Sequence, residues 1–155
     1  MAEITYEDRR EDILARLLVV AESVDPDFEG RRNEPGLPDT RKYVVIFDGA
    51  EQAFGDPPPR RSANEPPPQI MRMTPEVQFR LAKSSKDIGP ALNKLRINLI
   101  AKVTTDATLL GFSLNGRSIH VAGAGAATER GRTIEGGIGV AFNIDYLLRP
   151  GRQVG

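Results

Sequence analysis

Between Met71 and Leu81 the odd positions are all apolar (Met71, Met73, Pro75, Val77, Phe79, Leu81), and Arg72, Thr74, Glu76, Gln78 and Arg80 fill the even ones. Period two predicts a strand with one buried face. Past a polar turn at residues 82–86 the spacing changes. Ile88, Leu92, Leu95, Leu99 and Val103 recur every three or four positions, which predicts a helix with one apolar stripe. Gly89-Pro90 opens it, with proline at a tolerated early position. Near the C-terminus Ile138, Val140, Phe142, Ile144, Tyr146 and Leu148 alternate with Gly139, Ala141, Asn143, Asp145 and Leu147, a second strand with one apolar face.

The other elements follow from weaker signals. Tyr6, Ile13, Leu17, Val20 and Val24 form a helical stripe; Thr5 and Asp8 resemble a capping box and Asp25-Pro26 stops the helix, which is expected over residues 6–23. Residues 28–33 suit a short strand before the breaks at Pro35-Gly36 and Pro38-Asp39. Tyr43, Val44, Val45, Ile46 and Phe47 are β-branched or aromatic throughout, as expected of a strand covered on both faces, and Asp48-Gly49 is expected to end it. A proline-rich arm then occupies residues 49–69, with two Pro-Pro-Pro triplets around Arg60-Arg61; polyproline II cannot join a ladder. After the long helix, residues 107–110 form one further turn stopped by Gly111, Asn115-Gly116 marks a tight turn, and residues 117–121 form a strand. Residues 123–132, rich in glycine, alanine and charge, read as a loop.

Both clean strands need cover on one face only, so the expected fold is α+β: a mostly antiparallel sheet of four to five strands with two helices packed on one face. The 155 residues suit a single domain, its core over about 5–150 with a short C-terminal tail at 150–155. Twenty-one basic and 21 acidic residues cancel, so the whole chain has no net-charge signature of a nucleic-acid or anionic-membrane binder. The chain has no cysteine, which excludes disulfides and thiolate metal sites and fits assembly in a reducing compartment. No apolar run near the N-terminus is long enough for a signal or a spanning helix, so no export and no membrane are expected.

The catalytic signals are weak. Gly123-Ala124-Gly125 lacks the third small residue and the following striped helix of a dinucleotide site, and reads as a loop. His120, the one histidine, lies in an expected strand away from any nucleophile elbow. Asp48 and Asp106 are read as turn and cap residues rather than as metal ligands with Asp145. Arg60-Arg61 has no interleaved aromatic residue for base stacking. No catalytic residue, cofactor or metal site is expected. What remains is the polar sheet face, with Arg72, Glu76 and Arg80 beside Asn143 and Asp145. It is either solvated or a subunit contact.

Met71 to Val77, the run Asp87-Ile88-Gly89-Pro90-Ala91-Leu92-Asn93, the run Thr105-Asp106-Ala107-Thr108-Leu109-Leu110, Gly131-Arg132 and the final strand from Phe142 to Pro150 resemble, in order and spacing, the tail terminator or minor tail proteins of long-tailed phages. The Arg32-Asn33 turn, the Asp48-Gly49 strand end and the proline-rich insert are similar too. The resemblance spans roughly residues 5 to 150, and residues 54–69 do not align. It implies a virion structural protein, not an enzyme, that forms a ring, commonly hexameric, on the head-proximal end of the tail tube. There it stops tube polymerisation and supports joining to the head. Its partners would be further copies of itself, the tail tube protein and a head-tail connector or head-completion protein, with DNA only as cargo passing through the lumen. On this reading Arg72, Glu76, Arg80, Asn143 and Asp145 are candidate interface residues, and Phe54, Arg60 and Arg61 belong to an assembly arm. A head-completion or connector protein of the neck is the alternative within assembly, and a small ligand-binding enzyme domain is the alternative outside it.

Overall fold

The computed structural model describes residues 9–34, 42–80, 88–126 and 137–149. Thr5, Tyr6, Asp8, Leu81 and the Gly131-Arg132 pair therefore lie outside the described residues. In chain order the elements are α1 (Arg9–Glu22), β1 (Glu29–Arg32), β2 (Tyr43–Ala53), β3 (Gln69–Arg80), α2 (Ile88–Thr105), α3 (Ala107–Phe112), β4 (Ile119–Ala126) and β5 (Gly137–Leu148). The five strands make one sheet in the order β1-β2-β3-β5-β4, antiparallel throughout except where β1 runs parallel to β2.

The two alternating patterns bury the expected faces. Met73, Val77 and Phe79 from β3 meet Ile138, Val140, Phe142, Ile144 and Tyr146 from β5, and Val44 and Ile46 of β2 complete the floor. Against it α1 sets Ile13, Leu14, Leu17, Val20 and Ala21, α2 sets Leu95, Leu99 and Val103, and α3 adds Leu109. The helices thus cover one face, and the fold is α+β in two layers. Phe28 closes the core edge-on against Phe79, ring centroids 5.4 Å apart. Tyr43 and Val45 point to the other face and are also buried, as the unbroken apolar run of β2 requires. Among the described residues no helix is long and apolar enough to cross a membrane.

Three local expectations are corrected. Asp48-Gly49 does not end β2: the strand carries on to Ala53, with a bulge that sets two residues, Asp48 and Gly49, opposite Pro75. Gly49 takes φ 71°, which glycine adopts without steric cost, and Pro75 has no N–H to offer where the ladder is interrupted. The arm therefore shrinks to residues 54–68, between the strands of a long hairpin. Second, Gly123, Ala124, Gly125 and Ala126 are not loop but the second half of β4, paired with Ala141, Val140, Gly139 and Ile138. Third, Gly111 lies inside α3, which ends one residue later at Phe112. The turn signal at Asn115-Gly116 holds, with both residues at positive φ, 57° and 68°.

Candidate functional site

Strand alternation puts all five candidate interface residues on the sheet face opposite the helices. Arg72, Glu76 and Arg80 lie on β3 and Asn143 and Asp145 on β5, and cross-strand register decides which of them meet. Arg72 stands opposite Asp145 and grips it with a bidentate pair, Nε to Oδ1 at 2.7 Å and Nη2 to Oδ2 at 3.0 Å. Asp145 is 7% exposed, and its hydrogen bond raises the Arg72 guanidinium above its ordinary pKa. On the other side of that guanidinium lies the Phe54 ring, its centroid 3.5 Å from the guanidinium carbon. Phe54 is thereby the hinge post of the arm: its N–H also donates to the Ile70 carbonyl at 2.9 Å.

The remaining polar groups continue the row. Thr74 Oγ1 donates to Asn143 Oδ1 across the strands at 2.9 Å. Arg80 Nη2 donates to Gln78 Oε1 at 3.0 Å, and Gln78 Nε2 to Glu76 Oε1 at 3.1 Å, a relay along β3. Glu76 reaches over Gly139 on β5, where a Cβ would stand 2.3 Å from its Oε1. Within the chain these groups already bond to one another. The Arg72 charge is matched by Asp145 within the chain, and Glu76 and Arg80 are linked through Gln78. The face is a preformed, internally bonded surface. Arg60 and Arg61 stand apart from it, exposed on the arm, where the Arg61 N–H donates to the Glu65 carboxylate at 2.9 Å.

Two charged clusters that sequence spacing did not reveal join distant elements, one helix to helix and one helix to sheet. Asp106 caps α3, accepting from the Leu109 N–H, and at the same time takes both arms of Arg16 from α1, at 3.0 and 2.8 Å. Its cap role was legible, its partner 90 positions away was not. The Arg16 guanidinium first, and the Leu109 N–H after it, hold the Asp106 carboxyl below its ordinary value. Arg32 on β1 likewise bonds both Glu11 on α1 and Asp48 at the bulge, lowering the pKa of each and raising its own. Beside it Arg10 donates to the Gly49 carbonyl at 3.3 Å, and Tyr146 Oη donates to Glu51.

An open groove of about 300 Å³ runs between α1 and the α2–α3 corner, lined by Arg16, Val19, Ser23, Lys102 and Asp106 among others. Its cations are already engaged, Arg16 by Asp106 and Lys102 by the Ser23 carbonyl at 3.1 Å. His120 lies exposed on β4, opposite Asn143. Among the described residues no three His, Asp or Glu side chains gather closely enough to hold a metal ion. Among the described residues the arrangement is an internally bonded polar face with a mostly exposed arm anchored beside it at Phe54. No protein-family model matches the chain, and a search of curated proteins finds no match.

Proposed function

We propose that this chain is a virion structural protein, a tail terminator that closes into a ring on the head-proximal end of a phage tail tube, halting its growth and presenting a surface for head joining. The observation that carries the reading is the one-sided packing: among the described residues all three helices lie on one face of the sheet, and the other presents the bonded row from Arg72 to Arg80. A rigid polar surface of this kind suits contact with an ordered neighbour, because little side-chain freedom is left to lose on docking. The hairpin arm that springs from it at Phe54 supplies a second element able to reach a neighbour. The order of short signatures along the chain is the other support. Terminating a polymer requires a head-to-tail interface that closes after a fixed rotation, with one ring face matched to the last ring of the tube.

The test has two parts. Purified protein imaged by electron microscopy should show closed rings, and a virus lacking the gene should make tubes of uncontrolled length that join no heads. Tails of normal length left unjoined would transfer the assignment to a connector of the neck. Normal tails joined normally would remove an assembly role.

A further inference from the structure

The open groove and the exposed arm match one another in shape and in charge. The groove, of about 300 Å³, follows α1 from Arg16 through Val19 to Ser23, with Lys102 and Asp106 on its opposite wall. Val19 is 52% exposed there, an apolar wall open to solvent. The groove's cations are bonded inside the chain, Arg16 to Asp106 and Lys102 to the Ser23 carbonyl, so neither is free to take an anion.

The chain beyond the groove is negative. Glu22 is the last residue of α1, and Asp25 and Asp27 lie in the turn that follows. A helix C-terminus already carries partial negative charge and favours lysine or arginine, and the last turn of α1 holds neither. Among the described residues none of these three carboxylates has an ion-pair partner. Asp25 accepts the Asp27 N–H at 2.9 Å, and the Glu22 side chain lies over Gly30. A cation from outside would relieve this end.

The arm has the complementary features. Pro57-Pro58-Pro59 runs directly into Arg60-Arg61. Each proline fixes its own φ and holds the residue before it extended, so the triplet loses little freedom when it lies in a groove. The turn after it is closed by the Arg61 N–H on the Glu65 carboxylate, at 2.9 Å, and by the Glu65 N–H on the Ser62 carbonyl, at 3.3 Å. Arg60 and Arg61 are both exposed, and among the described residues neither guanidinium has a partner.

Within one chain the two surfaces are kept apart. The arm leaves the sheet at Ala53, and the Phe54 ring lies on Arg72, on the face opposite the helices. Glu22 stands in the helix layer over Gly30, which pairs with Val44. From Val44 to Ala53 the strand runs about 30 Å. The chain from Phe54 to Pro58 extends at most about 14 Å, and it starts on the wrong side of the sheet.

We propose that the arm of one copy docks on the α1 groove of the next, with Pro57-Pro58-Pro59 against Val19 and Arg60 and Arg61 paired with Glu22, Asp25 and Asp27. The proposal rests on the ring reading above and names a contact between its subunits. The occupant is a second copy because the matching charges belong to one chain whose own geometry separates them. The two surfaces differ, so the contact is head-to-tail, the type that closes after a fixed rotation.

Sedimentation over a range of protein concentrations tests the contact. Arg60→Glu/Arg61→Glu and Glu22→Lys/Asp27→Lys should each raise the midpoint concentration of assembly about tenfold or more. The chain with all four changes has its charges exchanged and should assemble within about threefold of wild type. Lysine suits a helix C-terminus, so the Glu22→Lys/Asp27→Lys monomer should melt no lower than wild type. Added salt should weaken wild-type assembly. Wild-type midpoints in both reversed variants, or no recovery when all four changes are combined, would overturn the contact and leave the ring reading standing. Loss on reversing the arm alone, with none on reversing the α1 end, would assign Arg60 and Arg61 to another acidic surface. Rings that form only with added DNA would assign them to phosphate. A wild-type chain that stays monomeric at every concentration, with or without DNA, would end both the contact and the ring.

Discussion

A Cβ built on Gly49 would stand 2.0 Å from the carbonyl oxygen of Thr74. That approach is backbone on backbone, so no rotamer change relieves it, and the positive φ of Gly49 adds a second penalty for any side chain. The bulge it forms lets one strand pass Pro75 without stranding a donor, and Arg10 fastens it by donating to the Gly49 carbonyl. Gly49→Ala should therefore destabilise the monomer by more than about 2 kcal/mol in denaturant titration. A cost within half a kilocalorie would show that the bulge relaxes freely.

The Arg16–Asp106 clasp gives a pH signature. The Asp106 carboxyl is depressed below its ordinary 3.8, and Asp48 is depressed too, each chiefly by its arginine. A depressed carboxylate adds stability that is complete above the unfolded value and drains away as pH falls through the folded one. The melting temperature should therefore drop on acidification below about pH 4. Asp106→Asn keeps a good helix cap but loses the charge, so its melting curve should depend less on acid. Asp106→Ala loses the cap as well and should cost about 1 kcal/mol more at neutral pH. Identical acid profiles for wild type and Asp106→Asn would show that the clasp contributes nothing.

The opposite faces of β3 and β5 were legible because a buried face repeats every second residue whatever else the chain does. A stripe recurring every three or four residues gave α2, and the core confirms it from Leu95 to Val103. Where the structure departed, a residue type served two geometries. Asp-Gly marks turns and also supplies the left-handed glycine of a bulge, so β2 looked finished at Asp48 when it ran on to Ala53. Gly123 to Ala126 looked like loop because small residues have little strand preference of their own; pairing with β5 supplies what propensity lacks. The candidate face was legible as a face. The partners on it were not: Arg72 to Asp145 depends on the register of strands 73 positions apart, which periodicity does not contain.

Core depth separates two superficially similar residues. Phe142 is fully buried at the centre of the helix-covered face, and Val19 on α1 is 52% exposed. Phe142→Ala should cost roughly 3–5 kcal/mol through lost transfer energy and the cavity left behind. Val19→Ala should stay within about 0.5 kcal/mol of wild type. Equal losses in thermal or denaturant unfolding would contradict the layer assignment.

Asp145 is placed to show whether the polar row is structural glue or a contact surface. Asp145→Asn keeps the shape but removes the charge that Arg72 grips, and should cost the monomer about 1–3 kcal/mol. Charge reversal at Glu76 and Arg80 together keeps one charge of each sign on the relay, so the monomer should lose little. On the assembly reading it should still impair docking, and more at low salt, where like-charge repulsion is least screened. Unchanged assembly in the reversed variant at both low and high salt would take the face out of the contact.

The arm offers the sharpest separation of folding from assembly. Its described residues 54–68 carry neither helix nor ladder, and six prolines there limit the donors they can supply. Its base is anchored by Phe54 over Arg72, by the Phe54 N–H on Ile70 and by the buried Pro68. Replacing residues 55–67 with a short Gly-Ser linker retains that anchor and the hairpin on either side. Because loop closure depends only weakly on length, the monomer's melting should shift by no more than a few degrees. On the assembly reading the shortened chain should form rings that fail to dock on tubes, or fail to close, since the reach of the arm and the Arg60-Arg61 pair are gone. Phe54→Ala provides the complementary measurement: it frees the base without shortening the arm, so docking should weaken less than in the replacement. A shortened chain that melts far below wild type would place the arm in the core after all, and one that assembles and docks normally would deny it any part in the contact.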